Sequence, residues 1–490
     1  MEYEPVIGLE VHAQLLTQSK MFCACSADYA GAPPNTHTCP VCLGMPGALP
    51  TINRRAVEYT ILTALAFHCE IPAFAKFDRK NYHYPDLPKG YQISEYDLPL
   101  SRNGYVLIDD AGTIKRIGVR RVHLEEDTAK LFHDGENSLI DMNRAGVPLM
   151  EIVSEPDMHS VEEARLYAIK LRQILRYLGV SSGDMEKGAM RFEANISLRP
   201  KGSQTLAPTR VEIKNLNSLR AMVHACEYEI ARQTRIWQSG GTVEQETMGW
   251  DEVRNQTYTQ RSKEEAQDYR YFPEPDLPRL EISREWVAEI QARLPELPDE
   301  KFNRLTQQLG LSAYDASVIT AEKEIADYYD RAVDAGRARG IDAKAIANWV
   351  TGELFRLMKD HAQEIDAVKI APAQIPALIA LINAGTISNT IAKTVFEEMY
   401  ATGNDPEKIV AAKGLAQISD RAALEVIVDQ VLAENPAQVA DYLGGKETIA
   451  KWLVGQVMKA TKGQGKPTLV NELVLEKLRK MKGGRPLDGM

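Results

Sequence analysis

The sequence has no run of about 20 apolar residues, so no segment can span a bilayer as a helix. It opens on Met-Glu-Tyr-Glu-Pro, without a basic region leading into an apolar stretch. No secretory leader is therefore expected, and the chain reads as soluble and cytoplasmic, with no membrane partner. A cationic surplus is missing too: 58 Lys and Arg face 68 Asp and Glu, a net charge of -10. This excludes proteins that coat nucleic acid through a dominant basic surface, and any such contact has to be local. Cysteine is scarce, six in 490 residues, which is too sparse for a disulfide scaffold. Two nucleotide-binding signatures are also lacking, the Gly-x4-Gly-Lys-Ser/Thr loop and the His-Arg-Asp loop of kinases. Any use of ATP must rest on another framework.

What is present is a balanced globular composition, 44% hydrophobic and 26% charged. At roughly 100–200 residues per domain the length predicts two to four domains. Up to Arg293 the chain alternates in short runs punctuated by Pro and Gly, the mark of strands and turns. Helical stretches over Val161–Leu178 and Asn217–Gln238 interrupt it. From residue 294 onward Ala- and Leu-rich segments follow the 3.6-residue period of helices. The join is Leu294-Pro-Glu-Leu-Pro-Asp299, because two prolines cannot sit inside a continuing helix. A weaker break falls at Thr402-Gly-Asn-Asp-Pro406. The fold class is thus α+β: a domain over 1–293, a helical domain over 294–405 and a small helical tail over 406–490. One echo, Tyr82-His-Tyr-Pro-Asp-Leu-Pro88 against Tyr271-Phe-Pro-Glu-Pro-Asp-Leu-Pro278, reads as two Pro-rich loops of similar chemistry.

Several expected strands carry one chemical face. In Val6–Leu15, Ile7, Leu9, Val11, Ala13 and Leu15 share one side, while Gly8, Glu10, His12 and Gln14 share the other. Met190–Leu198 sets Arg191, Glu193, Asn195 and Ser197 against an apolar face, and Arg210–Lys214 sets out Arg210, Glu212 and Lys214, with Asn215 and Asn217 following. Val119–Asp127 puts His123, Glu125 and Asp127 together, and runs around Arg144-Ala-Gly-Val-Pro148 add Asp141, Asn143 and Glu151. Water alone would account for any one of these faces. Repeated over several strands, carboxylates, amides and Arg/Lys make a better active-site floor than a solvent surface. Oxygen ligands with one imidazole suit Mg²⁺, and the cations would clamp phosphate or carboxylate oxygens, as phosphoryl transfer requires.

Two further motifs stand out. Cys23-Ala-Cys25 and Cys39-Pro-Val-Cys42 are close pairs joined by a short loop, a spacing that suits a closed, structural Zn²⁺ site, although ordinary thiols would also satisfy it. Cys69 and Cys226 are isolated and read as core residues. The loop Phe77–Gln92 interleaves Arg79, Lys80 and Lys89 with Tyr82, Tyr84 and Tyr91. Such a loop could stack on bases or clamp a nucleotide, or simply pack its tyrosines on the domain.

Taken in order, these segments resemble the GatB family, the B subunits of aspartyl/glutamyl-tRNA amidotransferases. The resemblance is carried by Ile7-Gly-Leu-Glu-Val-His-Ala-Gln-Leu15, Asp78–Gln92, His123-Leu-Glu-Glu-Asp127 and Ile140-Asp-Met-Asn-Arg-Ala-Gly-Val-Pro-Leu-Met-Glu-Ile152. Arg210–Ser218, Asp268–Pro278 and the tail Gly463–Leu473 complete it, so that it spans nearly the whole chain. It implies a cradle-like catalytic domain with a mixed or antiparallel sheet, followed by a helical domain and a YqeY-like tail that binds tRNA. It implies a heterotrimer as well, whose other members are a glutaminase (amidase) that liberates ammonia and a small bracing protein. The activity implied is ATP-dependent conversion of Glu-tRNA(Gln) or Asp-tRNA(Asn) to Gln-tRNA or Asn-tRNA through phosphorylation of the side-chain carboxylate.

By position, His12, Glu125 and Glu151 resemble the family's Mg²⁺ ligands, and Glu10 could serve a second metal. Glu193, Asn195, Glu212, Lys214 and Asn217 fall to nucleotide and acyl-phosphate contacts, and Arg79, Lys80, Tyr82, Tyr84, Lys89 and Tyr91 to substrate binding. Phe192-Glu-Ala-Asn195 departs from the Cys-Asp-Ala-Asn of many members, which puts the role of Glu193 in question. No Ser-Ser-Lys amidase motif is present, so ammonium rather than glutamine should serve this chain alone. The basic end, Lys459, Lys462, Lys466, Lys477, Arg479, Lys480, Lys482 and Arg485, fits a tRNA backbone or a solvated terminus. A small-molecule carboxylate kinase and a zinc-knuckle RNA scaffold are the rivals; the basic tail argues against the first and the carboxylate set against the second.

Overall fold

The computed structural model describes residues 2–203, 205, 209–262, 269–418 and 420–483. Two compact units divide it, Met1–Pro298 and Asp299–Met490. Asp268 of the Asp268–Pro278 motif and Arg485 of the basic tail lie outside the described residues.

The first unit is built on strands. In chain order they are β1 (Tyr3–Gln14), β2 (Phe74–Ala75), β3 (Asp78–Asn81), β4 (Tyr91–Ser94), β5 (Gly104–Asp110), β6 (Thr113–Glu126), β7 (Lys130–Asp134) and β8 (Asn137–Asp141). They continue as β9 (Pro148–Ser154), β10 (Met190–Pro200), β11 (Val211–Leu216), β12 (Glu246–Asp251), β13 (Gln256–Ser262), β14 (Phe272–Pro273) and β15 (Leu280–Glu281). Eleven form one sheet in the order β13-β12-β11-β10-β1-β9-β6-β4-β3-β14, with β5 hairpinned onto β6. Its pairings are antiparallel except for β11 beside β12, so the sheet is mixed. β7 with β8, and β2 with β15, form small separate ribbons.

Alternation decides which face is covered. Ile7, Leu9, Val11 and Ala13 of β1, with Phe192 and Ile196 of β10, are buried in one core with Val57 and Ile61 of α1 (Arg54–Ala66) and Tyr167 and Leu171 of α2 (Val161–Leu178). Met222 and Ala225 of α3 (Leu219–Gln238) close the same core. Each fully buried aliphatic contributes roughly 1.5–3 kcal/mol, so a sheet this wide anchors its helices firmly. The ends of α2 follow from local chemistry. Ser160 caps the start, its hydroxyl accepting the N–H of Glu163, and Gly179 ends it with φ +65. Helices thus occupy one face, and the polar face of the sheet is left for chemistry.

Among its described residues the second unit consists of helices joined by turns. One of them holds a π-helical turn, Trp349–Leu354, with Val350 and Leu354 buried. Toward the end of the chain Leu424, Val428, Leu453, Val457, Val470 and Leu478 form a separate apolar cluster.

Candidate active site

Register assembles the polar face. Antiparallel pairing sets Glu10 of β1 opposite Glu193 of β10, and His12 opposite Glu151 of β9. The next strands set His123 of β6 opposite Glu151, Glu125 opposite Ser94 of β4, and Asn195 opposite Glu212 of β11. Residues directly opposite share a face, so side chains from six strands are drawn into two adjoining clusters.

In the first cluster His12 Nε2 lies 3.5 Å from Glu125 Oε1 and 3.6 Å from Glu151 Oε2, and His123 Nε2 lies 3.3 Å from Glu151. Ser94 donates to Glu125 at 3.4 Å. Against its burial, Glu151 and Glu125 hold the His12 pKa up at about 9, while His123 and His12 hold Glu151 well below the usual carboxylate range. One atom from each of His12, Glu125 and Glu151 lies within 4.8 Å of the others. Octahedral Mg²⁺ at about 2.1 Å needs ligands about 3–4 Å apart, so this donor set fits the ion with a small inward closing.

Glu10, Glu193 and Glu212 make the second cluster, again within 4.8 Å. Lys214 bridges two of them, 2.6 Å from Glu193 and 3.1 Å from Glu212. Glu10 has no ion pair among the described residues. Burial, then repulsion from Glu151, Glu193 and Glu212, raises its pKa to about 7. Lys214, and behind it His12, lower that of Glu193 against its burial. Asn195 donates to Glu10 at 3.0 Å, and its buried Oδ1 has no partner among the described residues, as a group waiting for a donor or cation would. The longer Glu193 therefore does reach the cluster. Asn217 stands exposed beyond the end of β11.

The Tyr-rich loop sorts its residues differently from its sequence. Arg79 is held bidentate by Glu274, at 2.7 and 2.8 Å, and lies 4.2 Å over the Tyr91 ring. Lys89 pairs with Glu126, and Tyr84 is exposed. Of the three cations Arg79, Lys80 and Lys89, Lys80 alone has no ion pair within the described residues. Its Nζ sits 5.1 Å from the Tyr269 ring and 6.0 Å from Tyr82, and against burial the charges of Glu125 and Glu151 raise its pKa. Tyr82 donates to Gln92 at 3.2 Å. The strand leading into the first echoing loop pairs with the second, Arg79 of β3 opposite Phe272 of β14.

Asp141 and Asn143 are corrected by the structure. Neither is on the polar face: Asp141 ends the small β7–β8 ribbon, and Asn143 is buried in the turn after it. Their side chains accept the N–H groups of Asn35 and His37 at 3.0 and 2.7 Å, clamping the loop between the cysteine pairs. Cys23, Cys25, Cys39 and Cys42 place their Sγ atoms within 4.8 Å of one another. Tetrahedral Zn²⁺ with Zn–S of about 2.3 Å needs them about 3.8 Å apart, so the donor set fits. Beside it lies a cavity of about 210 Å³, lined by Phe22, Val41, Met45, Lys89 and Glu126 among others.

Sequence reasoning left out two participants. His123 shares the face of Glu125 but was not counted as a ligand candidate, and Arg191 meets the buried Asp127 at 3.3 Å beside the first cluster. The alternation of β6 and β10 already placed both on the polar face; only the pairing shows which cluster they join.

Comparison with known proteins agrees with this architecture. The first unit falls in the class of GatB/GatE catalytic domains, whose family model matches residues 5–288, and a second model, described as GatB domain, matches residues 327–478. Relatives named as the B subunit of aspartyl/glutamyl-tRNA(Asn/Gln) amidotransferase include that of Moorella thermoacetica, 55% identical over 98% of this chain and 100% of the relative. Those of Carboxydothermus hydrogenoformans (54%, with 98% and 100% covered) and Dehalococcoides mccartyi (52%, with 97% and 99% covered) are similar throughout as well. The chain belongs to the GatB family.

Proposed function

We propose that this chain is the tRNA-binding, carboxylate-activating member of a ligase-type amidotransferase acting with translation in the cytoplasm. Its substrates are Glu-tRNA(Gln) and/or Asp-tRNA(Asn), with ATP. A side-chain carboxylate oxygen attacks the γ-phosphorus, and the bond to the ADP oxygen breaks. Ammonia then attacks the acyl carbon, phosphate leaves with the bonding electrons, and the nitrogen loses a proton to give the amide. A glutaminase partner supplies the ammonia, and a small third protein completes the heterotrimer. The observation that carries this reading is the pair of adjoining ligand clusters on one sheet face, with Lys80, unpaired among the described residues, beside them.

His12, Glu125 and Glu151 would hold Mg²⁺, and Glu10, Glu193 and Glu212 a second ion. Bound there, the metal would neutralise charge between anions that otherwise repel. Lys214 holds Glu193 and Glu212 in place through its two ion pairs, and Asn195 orients Glu10. Lys80, partly desolvated among tyrosines, faces the incoming carboxylate or phosphate, with Tyr82 beside it. Arg79 and Tyr91 act on substrate by holding the loop in shape, Lys89 by closing the cavity near the cysteines, and Tyr84 and Asn217 at the rim. Cys23, Cys25, Cys39 and Cys42 would hold a structural Zn²⁺. The second unit is divided into a helical domain to residue 405 and a tRNA-binding tail over 406–490.

The test uses the chain with its partner proteins, Mg²⁺, labelled ATP and ammonium chloride, against Glu-tRNA(Gln), uncharged tRNA and free glutamate. Turnover confined to the misacylated tRNA is the expected result. Turnover with free glutamate would make the protein a small-molecule ligase, and no ATP turnover with any substrate would overturn the enzymatic reading.

A further inference from the structure

Lys20 is fully buried, one of the largest side chains sealed in the first unit. Its ammonium donates to the carbonyl of His37 at 2.7 Å, to that of Met142 at 3.5 Å and to Cys42 Sγ at 3.7 Å. Its backbone N–H donates to the carbonyl of Cys25 at 2.9 Å. One residue thereby touches both cysteine pairs, through its main chain on one side and its charge on the other. No carboxylate pairs with it among the described residues. Glu126, which flanks Gly146 together with Lys20, is already paired with Lys89.

A buried ammonium held only by neutral acceptors is costly, and four protonated thiols would leave this one without a counter-charge. Four thiolates around a divalent ion carry a net charge of about −2, and an N–H donor aimed at one sulfur then becomes a charge-assisted bond. We propose that Lys20 is the charge partner of a resident divalent-metal tetrathiolate at Cys23, Cys25, Cys39 and Cys42, favouring the metal-loaded knuckle over the thiol form. It is a positioning residue for the metal. The inference does not depend on the catalytic role of the sheet face.

The rival is that Lys20 is a strut, tying the His37 and Met142 carbonyls together whatever the cysteines hold. Titrating the full-length chain with Zn²⁺ against a chelating dye separates the two. Lys20→Met should weaken zinc binding on the order of 10–100-fold, the usual effect of losing an outer partner of a metal ligand, and Lys20→Arg should retain most of the affinity. In the Co²⁺-loaded protein the sulfur-to-metal charge-transfer band should move to longer wavelength in Lys20→Met, because a thiolate without its donor gives up an electron more easily. Should Lys20→Met fail to fold, Lys20→Gln keeps a donor for His37 without the charge and carries the same comparison. Unchanged zinc affinity, with melting lowered equally in the loaded and metal-free proteins, would overturn the proposal. So would a wild-type chain that binds neither ion.

Discussion

Glu95 shows how much one buried carboxyl can weigh. It is 1% exposed, accepts the backbone N–H groups of Leu100 and Leu124 at 3.1 Å each through one oxygen, and leaves its other oxygen without a partner among the described residues. Burial pushes its pKa up to about 8 from an ordinary 4.5. A raised acid pKa means that the folded state holds the proton more tightly. Its contribution to stability is complete below pH 4.5 and is lost as pH rises through about 8. Glu95→Gln is therefore expected to be stabilised relative to the parent by roughly 2–4 kcal/mol at pH 9, and by much less at pH 5. Urea denaturation at the two pH values checks it. On the polar face, Lys80→Met should lower ammonium-dependent transamidation on the order of 10²-fold or more, since the loop's other cations, Arg79 and Lys89, are held by Glu274 and Glu126. Arg79→Met should instead show first as a lower melting temperature, because Arg79 holds Glu274. Sequence alone does not separate these adjacent residues: the carboxylate that commits Arg79 lies 195 positions away.

At the scale of elements, local chemistry was the more legible part. The ends of α2 could be read from Ser160-Val-Glu-Glu at its start and Leu178-Gly179 at its end, because capping depends on residues a few positions apart. Ser160→Ala should cost about 1 kcal/mol in urea denaturation and leave activity unchanged, the cap being remote from the polar face. Strand alternation was equally visible, and it marked which side chains of β1 and β10 face the site. The separate β7–β8 ribbon was not visible, which is why Asp141 and Asn143 read as part of the floor. A one-residue insertion after Gly8 should abolish transamidation, since Glu10 and His12 would turn to the opposite face while the apolar set turned outward. Circular dichroism would report how much of the sheet survives.

At the scale of the molecule, the proposed handling of an RNA requires an acidic chain to localise its positive charge. Among the described residues of the tail, Lys477 and Lys480 are paired with Asp429 and Glu476, whereas Lys459, Lys462 and Lys466 are without ion pairs. Deleting residues 406–490 should weaken tRNA binding and spare basal ATP hydrolysis; unchanged affinity in a filter-binding assay would remove the tail from recognition. By itself the sequence determined the α+β plan, the family, the polar faces and the cysteine pairs, because period, capping and motif spacing are set by neighbouring residues. Only the tertiary structure decided which carboxylate meets which. His12 meets Glu125 and Glu151, Lys214 is taken by Glu193 and Glu212, Lys80 has no ion pair among the described residues, and Lys20 lies against Cys42. Those matches depend on the register of strands far apart in the chain, and a local pattern carries no information about register across so long a separation.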